Sequence, residues 1–217
     1  LLRGIDWHFV PTTLLAQADS CIGSKSSINL ESAKNIVGTF NPPRTVWVDA
    51  IFLASLGDSE LRSGIGEIMK VHAIDSPESF DSVAADYESM LSDHVVLQKY
   101  IRESLSIKKR FIEIDEFDTG VRNIFNFGHS FGHAIETATD FAVPHGIAVT
   151  MGMDIACQIS HARGSLPIQQ RDRMRGNLRK NYLPFTNVDI PVDALLNALM
   201  KDKKNTTTML GLILPIG

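Results

Sequence analysis

Cysteine is scarce in this chain. There are two in 217 residues, Cys21 and Cys157, and they follow no CxxC spacing. Neither a disulfide framework nor a thiolate metal site is expected on that ground. Excess positive charge is also missing: the net charge is −4 with no basic run, so the electrostatic footprint of a nucleic-acid binder is absent. No apolar stretch reaches the roughly 18–20 residues that a membrane helix needs, and no repeat or low-complexity segment is found. What remains is an ordinary globular mix, 44% hydrophobic and 21% charged, in a chain long enough to bury about 70% of its unfolded surface. The expectation is a soluble, cytoplasmic protein with neither nucleic acid nor membrane as partner. The chain opens on Leu1-Leu2-Arg3-Gly4 and closes on the apolar, strand-like Leu212-Ile213-Leu214-Pro215-Ile216-Gly217. Both ends are expected to be cuts through a longer fold.

Histidine, by contrast, is concentrated. Three of the seven lie between positions 129 and 145, in Asn126-Phe127-Gly128-His129-Ser130-Phe131-Gly132-His133-Ala134-Ile135-Glu136 and then His145-Gly146. At 3.6 residues per turn His129 and His133 share one helix face. Pro144 allows the chain to turn back before His145. Imidazole is the commonest metal ligand and the usual proton-transfer group near neutral pH.

The rest of the chain divides into a short α/β portion, 1–54, and a mainly helical portion, 55–217. Arg3-Gly4 reads as a helix end. Trp7-His8-Phe9-Val10 and Thr45-Val46-Trp47-Val48-Asp49 have β propensity, and 14–19 is short and apolar. Gly23-Ser24-Lys25-Ser26-Ser27-Ile28-Asn29 reads as a small-residue loop. Its exposed N–H groups and one cation suit an anion, although the P-loop spacing is missing. Helical spacing covers 59–74, 82–91, 95–111 and 147–161. On spacing alone, Glu67 and Lys70 form a surface ion pair, and the Lys108-Lys109-Arg110 cluster a solvated helix face.

Two imidazoles and a carboxylate give a catalytic zinc three protein ligands and one open position. Glu67 and Glu136 are both candidate carboxylates, and spacing does not choose between them. The HExxH reading of His129 and His133 fails, because Ser130 stands where the glutamate base is required. Lys25, Lys34, Lys70, Lys108 and Arg122 supply cations for a small, multiply charged metabolite.

Arg3-Gly4, Val10-Pro11-Thr12-Thr13-Leu14-Leu15-Ala16-Gln17-Ala18-Asp19-Ser20, GSKSSIN, AKNIVGTFNPP, GEIMK, VRNIFNFGHSFGHAIE and PHG occur in that order. This series resembles 3-dehydroquinate synthase and its sugar-phosphate-cyclase relatives from Arg3 to about Met153, with an echo at Asp202-Lys203-Lys204. The resemblance implies a dehydroquinate-synthase-like fold, the remainder of a nucleotide-binding α/β domain followed by a helical domain. It implies Glu67, His129 and His145 as ligands of zinc or another divalent ion such as cobalt, and His133 as a substrate-facing proton-transfer residue. Lys70, Lys108, Arg122 and Asn126 complete the catalytic set. Arg3, Asp19, Lys25, Asn35 and one of Lys203 or Lys204 face substrate. Thr12, Thr13, Asp19 and Lys34 fall at the NAD side. The implied partner is a phosphorylated seven-carbon sugar acid, and the implied assembly a homodimer. The implied reaction eliminates phosphate and closes a carbocycle, with NAD regenerated in each turnover.

The match has departures. The family's glycine-rich nucleotide turn is expected upstream of Arg3, in a chain of ~350 residues. Ser24 replaces a usual glycine, Asp118 a usual glutamate, and Ile147 the glutamate of an HGE motif whose carboxylate could orient a metal-binding histidine.

Overall fold

A computed structural model describes residues 5–30, 33–201 and 209–217; the side chains of residues 29, 30 and 33–36 are outside that description. The α/β portion contributes β1 (His8–Phe9), β2 (Lys25–Leu30), β3 (Ala33–Phe40) and β4 (Thr45–Val46). β1 and β4 pair in parallel, with His8 opposite Thr45, while β2 and β3 form an antiparallel hairpin. Residues 25–29 of the expected loop at Gly23 to Asn29 are therefore strand. Lys25 there stands opposite Phe40 in the ladder. The apolar stretch 14–19 winds into a helical turn whose end, Ala16–Ser20, is a π-turn. The second expected strand stops early, because the Asp49 side chain accepts from Ile51 N and caps the 3-10 turn Ala50–Ser55.

Eight helices follow among the described residues: α1 (Asp58–Asp75), α2 (Pro77–Ala85), α3 (Tyr87–Ser92), α4 (His94–Ile114), α5 (His129–Ala138), α6 (His145–Ala162), α7 (Ile168–Tyr182) and α8 (Val192–Met200). The single helix expected over 82–91 is two, parted at Asp86. The strand-like C-terminal run forms no strand among the described residues. Its Pro215 carbonyl, and that of Gly211 just before it, accept from the hydroxyls of Ser160 and Ser130.

α1 is the centre of the molecule. Every residue from Ser63 to His72 is buried, because the π-turn and helices α2, α3, α4, α6 and α7 pack around it. Two glycines permit this closeness. A Cβ at Gly66 would stand 2.2 Å from the Gly146 carbonyl oxygen of α6, and one at Gly64 would stand 2.3 Å from Leu14 Cγ. Caps set the helix ends: Ser76 accepts from Ser79 N ahead of α2, and Asp93 from Val95 N ahead of α4. Gly128, at φ 76°, makes the left-handed turn from which α5 starts, a conformation in which only glycine is free of strain. Pro144 precedes the first residue of α6. His129 and His145 are thereby fixed as the first residues of two helices that pack on each other.

Candidate metal centre

Three helices deliver the centre. On α1, Ser63, Glu67 and Lys70 are spaced i, i+4, i+7, so they share one face. The Ser63 hydroxyl accepts from Gly146 N at 2.9 Å, which ties the start of α6 to this face. Glu67 Oε1 then lies 3.5 Å from His145 Nε2 and 3.9 Å from His129 Nε2. Ligands held 2.0–2.2 Å from one tetrahedral ion stand about 3.3–3.6 Å from each other. Glu67 is 1% exposed, and its Oε1 is a buried oxygen without a hydrogen bond. Such an atom is costly unless something cationic faces it.

His133 joins from the next turn of α5. One nitrogen from each of His129, His133 and His145 can be chosen so that all three lie within 4.8 Å of one another. The His133 ring stacks on His145 at 5.7 Å between centroids and meets His129 edge-on at 5.3 Å. Glu67 and Glu136 separate clearly. Glu67 faces both Nε2 atoms, whereas Glu136 accepts from His145 Nδ1 at 3.0 Å, on the far side of that ring. Ile147 lies fully in the core and offers nothing to the centre.

A line of alternating charge runs out from Glu67. Lys70 Nζ is 2.5 Å from Glu67 Oε2 and 3.3 Å from Asp19 Oδ2, and Lys108 Nζ is 2.8 Å from Asp19 Oδ1. Glu67 and Lys70 are both buried, so their pairing is no surface ion pair. Lys108 also departs from its exposed neighbours Lys109 and Arg110, being 8% exposed. The π-turn carries Asp19 into this line, and its backbone carbonyl also accepts from Lys108. Burial raises the Glu67 carboxyl pKa, but Lys70, the contact with His145 and the nearby His129 overcome it and hold the group well below the usual range. Burial lowers the Lys70 pKa, yet Asp19 and Glu67 outweigh it and raise it. Burial, with Lys70 adding to it, pushes His129 well below 6.5, so it is a neutral imidazole. His145 is also opposed by burial, but Glu136 and Glu67 lift it to about 9 in the absence of an ion.

The donor set fits a divalent ion. It offers a deprotonated buried carboxylate with an unpaired oxygen and imidazoles whose Nε2 atoms face it, which are borderline ligands suited to zinc or cobalt. With His145 neutral as a ligand, Asp19, Glu67 and Glu136 against Lys70 and Lys108 leave one negative charge, so a bound dication would turn the centre net positive.

The remaining expected residues are placed as follows. Arg122, on the 3-10 turn Val121–Asn126, is buried, with Nη1 donating to the carbonyls of Asp115 and Glu116 at 3.2 and 2.6 Å. Its Nη2 flanks Gly23, 3.7 Å from where a Cβ would sit. Asn126 Nδ2 donates to Asn123 O, and the neighbouring Phe125 ring lies 5.5 Å from Lys70 Nζ. Lys25 is exposed and pairs with Asp118 at 2.6 Å. Asp118 has φ 57°, a turn that brings its short side chain to that lysine. Thr12 and Thr13 are exposed, and Thr13 Oγ1 accepts from Ala16 N. Arg3, Lys203 and Lys204 lie outside the described residues, as do the side chains of Lys34 and Asn35. Ser63 is a site residue that the motifs do not mark; its only signal in the sequence is its place four residues before Glu67, on the same helix face.

Helices converging on a carboxylate and imidazoles, beside a parallel strand pair, define a short α/β portion followed by a helical domain with a candidate metal centre. The description "3-dehydroquinate synthase N-terminal" matches residues 1–63 and "3-dehydroquinate synthase C-terminal" residues 64–205. The chain belongs to the 3-dehydroquinate synthase family. It is 40% identical over 218 residues to the 3-dehydroquinate synthase of Alkaliphilus metalliredigens, covering all of this chain and 61% of that protein. Among solved structures it is similar to a 2-deoxy-scyllo-inosose synthase complexed with carbaglucose-6-phosphate, NAD+ and Co2+. The TM-score is 0.89 at 28% identity, covering 99% of this chain and 60% of that one. A second is 2-epi-5-epi-valiolone synthase from Streptomyces hygroscopicus subsp. jinggangensis 5008 with NAD+ and Zn2+ bound. Its TM-score is 0.86 at 28% identity, covering 99% of this chain and 61% of that one. The chain thus spans about three fifths of the length of these relatives. No helix among the described residues is long and apolar enough to cross a membrane.

Proposed function

We propose that this chain carries the metal and substrate site of a lyase that converts a seven-carbon sugar-acid phosphate (DAHP) to 3-dehydroquinate with loss of phosphate. The observation that carries it is the approach of Glu67 Oε1 to the Nε2 atoms of His129 and His145, beside a wall of buried cations. Residues 1–54 belong to the nucleotide-binding α/β domain and 55–217 to the metal- and substrate-binding domain. The working protein is a homodimer.

Glu67, His129 and His145 hold the divalent ion, with His133 beside it. Bound metal supplies Lewis acidity toward substrate hydroxyl oxygens, and bound NAD supplies reversible hydride acceptance. The protein's own groups do the rest. His133 moves the proton, since it sits within ring contact of both histidine ligands and is only half-buried. Lys70, with Lys25, Asn35 and Arg3, steadies the phosphate while its C–O bond breaks and negative charge gathers on the leaving oxygen. Arg122, Lys108 and Asn126 hold the carboxylate end. Arg122 suits this because its planar fork is pre-oriented by two backbone carbonyls and keeps further N–H groups for a carboxylate. One of Lys203 or Lys204 completes the substrate set, and Thr12, Thr13, Asp19 and Lys34 the NAD side.

The test is phosphate release by the full-length, metal-loaded protein from the seven-carbon acid phosphate against neutral six- and seven-carbon sugar phosphates. Preference for the acid supports the reading. Preference for a neutral sugar phosphate favours a cyclitol or 2-deoxy-scyllo-inosose type of cyclase, the activity named for the structurally similar synthase. Metal binding without turnover of either makes this a non-catalytic relative.

A further inference from the structure

Glu136 is 4% exposed and projects from the third turn of α5 toward the first residue of α6. A buried carboxylate is expensive unless it is paired and hydrogen-bonded. Its oxygen Oε2 takes the Nδ1–H of His145 at 3.0 Å. With an ion bound the imidazole is neutral and has a single N–H, so committing it at Nδ1 leaves the Nε2 lone pair for the metal. That Nε2 is the atom facing Glu67 Oε1 at 3.5 Å.

His129 repeats the pattern by another route. Its Nδ1 stands 3.3 Å from the Phe127 carbonyl, and its Nε2 faces the same Glu67 oxygen at 3.9 Å. Two rings on two helices are therefore each tied at Nδ1 and each point Nε2 at one place. The tie on His129 is a neutral and long contact, whereas that on His145 is a shorter bond to a carboxylate. Ile147, two residues past His145, is fully buried in the core, so no carboxylate reaches the ring from α6.

We propose that Glu136 is the positioning residue of the metal centre: its carboxylate fixes His145 in the Nδ1–H tautomer and locks the ring plane. This deepens the reading of the centre as a divalent-metal site and rests on it. Such a partner strengthens ligand basicity and removes ring rotation, and its loss typically weakens a metal site 10–100-fold.

The test uses Co2+ with the full-length protein, measured by chelator competition and by visible absorption, which reports coordination geometry. Glu136→Ala is expected to bind Co2+ about 10–100-fold more weakly with an altered spectrum. Glu136→Gln, whose amide oxygen still accepts from Nδ1–H, is expected to restore most of both. Affinity and spectrum unchanged in Glu136→Ala overturn the proposal, and so does a Glu136→Gln protein as defective as the alanine variant. Nitrogen-15 NMR of the histidines in the Zn2+-loaded wild type, where His145 is a neutral ligand, gives a reading independent of how the variants fold. A protonated Nδ1 on His145 supports the assignment, and a protonated Nε2 overturns it. If the wild type binds no Co2+ at all, the metal-site reading fails first and the proposal with it.

Discussion

Glu67 Oε1 lies 3.5 Å from His145 Nε2, although the two residues are 78 positions apart in the chain and on different helices. A carboxylate and an imidazole at that separation are spaced as two ligands of one ion, and no hydrogen bond occupies the oxygen. Glu67→Gln keeps the size and removes the charge. It is expected to weaken zinc binding by more than the ~10–100-fold that accompanies loss of an outer partner. Removing zinc by chelation should lower the melting temperature of the wild type by mass action and leave that of the variant almost unmoved. Equal metal affinity in the two proteins would sink the assignment.

The contact of α1 with α6 is made backbone to backbone. Gly66→Ala places a methyl 2.2 Å from the Gly146 oxygen, an atom that no side-chain rotation can move away. A cost of at least ~1–3 kcal/mol follows, read as a lower denaturant midpoint, together with weaker metal binding because Glu67 is the next residue. Gly176→Ala is the control. It lies in α7 with nothing within 4 Å of the added methyl, and it should raise stability by ~0.5–1 kcal/mol.

His72 sits on the buried face of α1 at 2% exposure, with Nδ1 sharing a hydrogen bond with Ser79 Oγ at 2.7 Å. Burial, opposed by Asp75 and aided by Lys99, pushes its pKa down to about 4. The unfolded chain therefore binds the proton first. Stability attributable to this group is complete above about pH 6.5 and is lost as pH falls from there through 4, at up to ~1.4 kcal/mol per pH unit. His72→Gln should be less stable at pH 7 but show a shallower loss across that window. Unfolding curves from pH 4 to 7 that run parallel for the two proteins would count against it.

Arg122→Ala is expected to reduce kcat/KM for the carboxylate-bearing substrate by the equivalent of about 2–4 kcal/mol. Its effect on a neutral sugar phosphate should be much smaller. A uniform loss on both substrates would mean that Arg122 serves only to brace the turn through the Asp115 and Glu116 carbonyls.

Part of this was legible in advance. Helical spacing located α1, α4, α5 and α6 because their apolar residues recur with the helix period, and glycine at 128 and proline at 144 mark where two of them begin. The hairpin of β2 and β3 was hidden, since polar residues such as Ser26 and Ser27 carry no strand signal and the pairing partner lies across a turn. The break between α2 and α3 was hidden for a similar reason: Asp86 is unremarkable until Tyr100, from another helix, bonds it at 2.7 Å.

The order and spacing of residues by themselves determined the helical class, the shared face of His129 and His133, and the family resemblance. These depend on local periodicity and on motifs read along one strand of chain. Only the tertiary structure decided that Glu67 and Lys70 are buried partners, that Glu67 faces the imidazole nitrogens, and that Glu136 stands behind His145. Spacing along a helix says which residues share a face. What lies opposite that face, water or another helix's first turn, is set by packing between segments far apart in the chain.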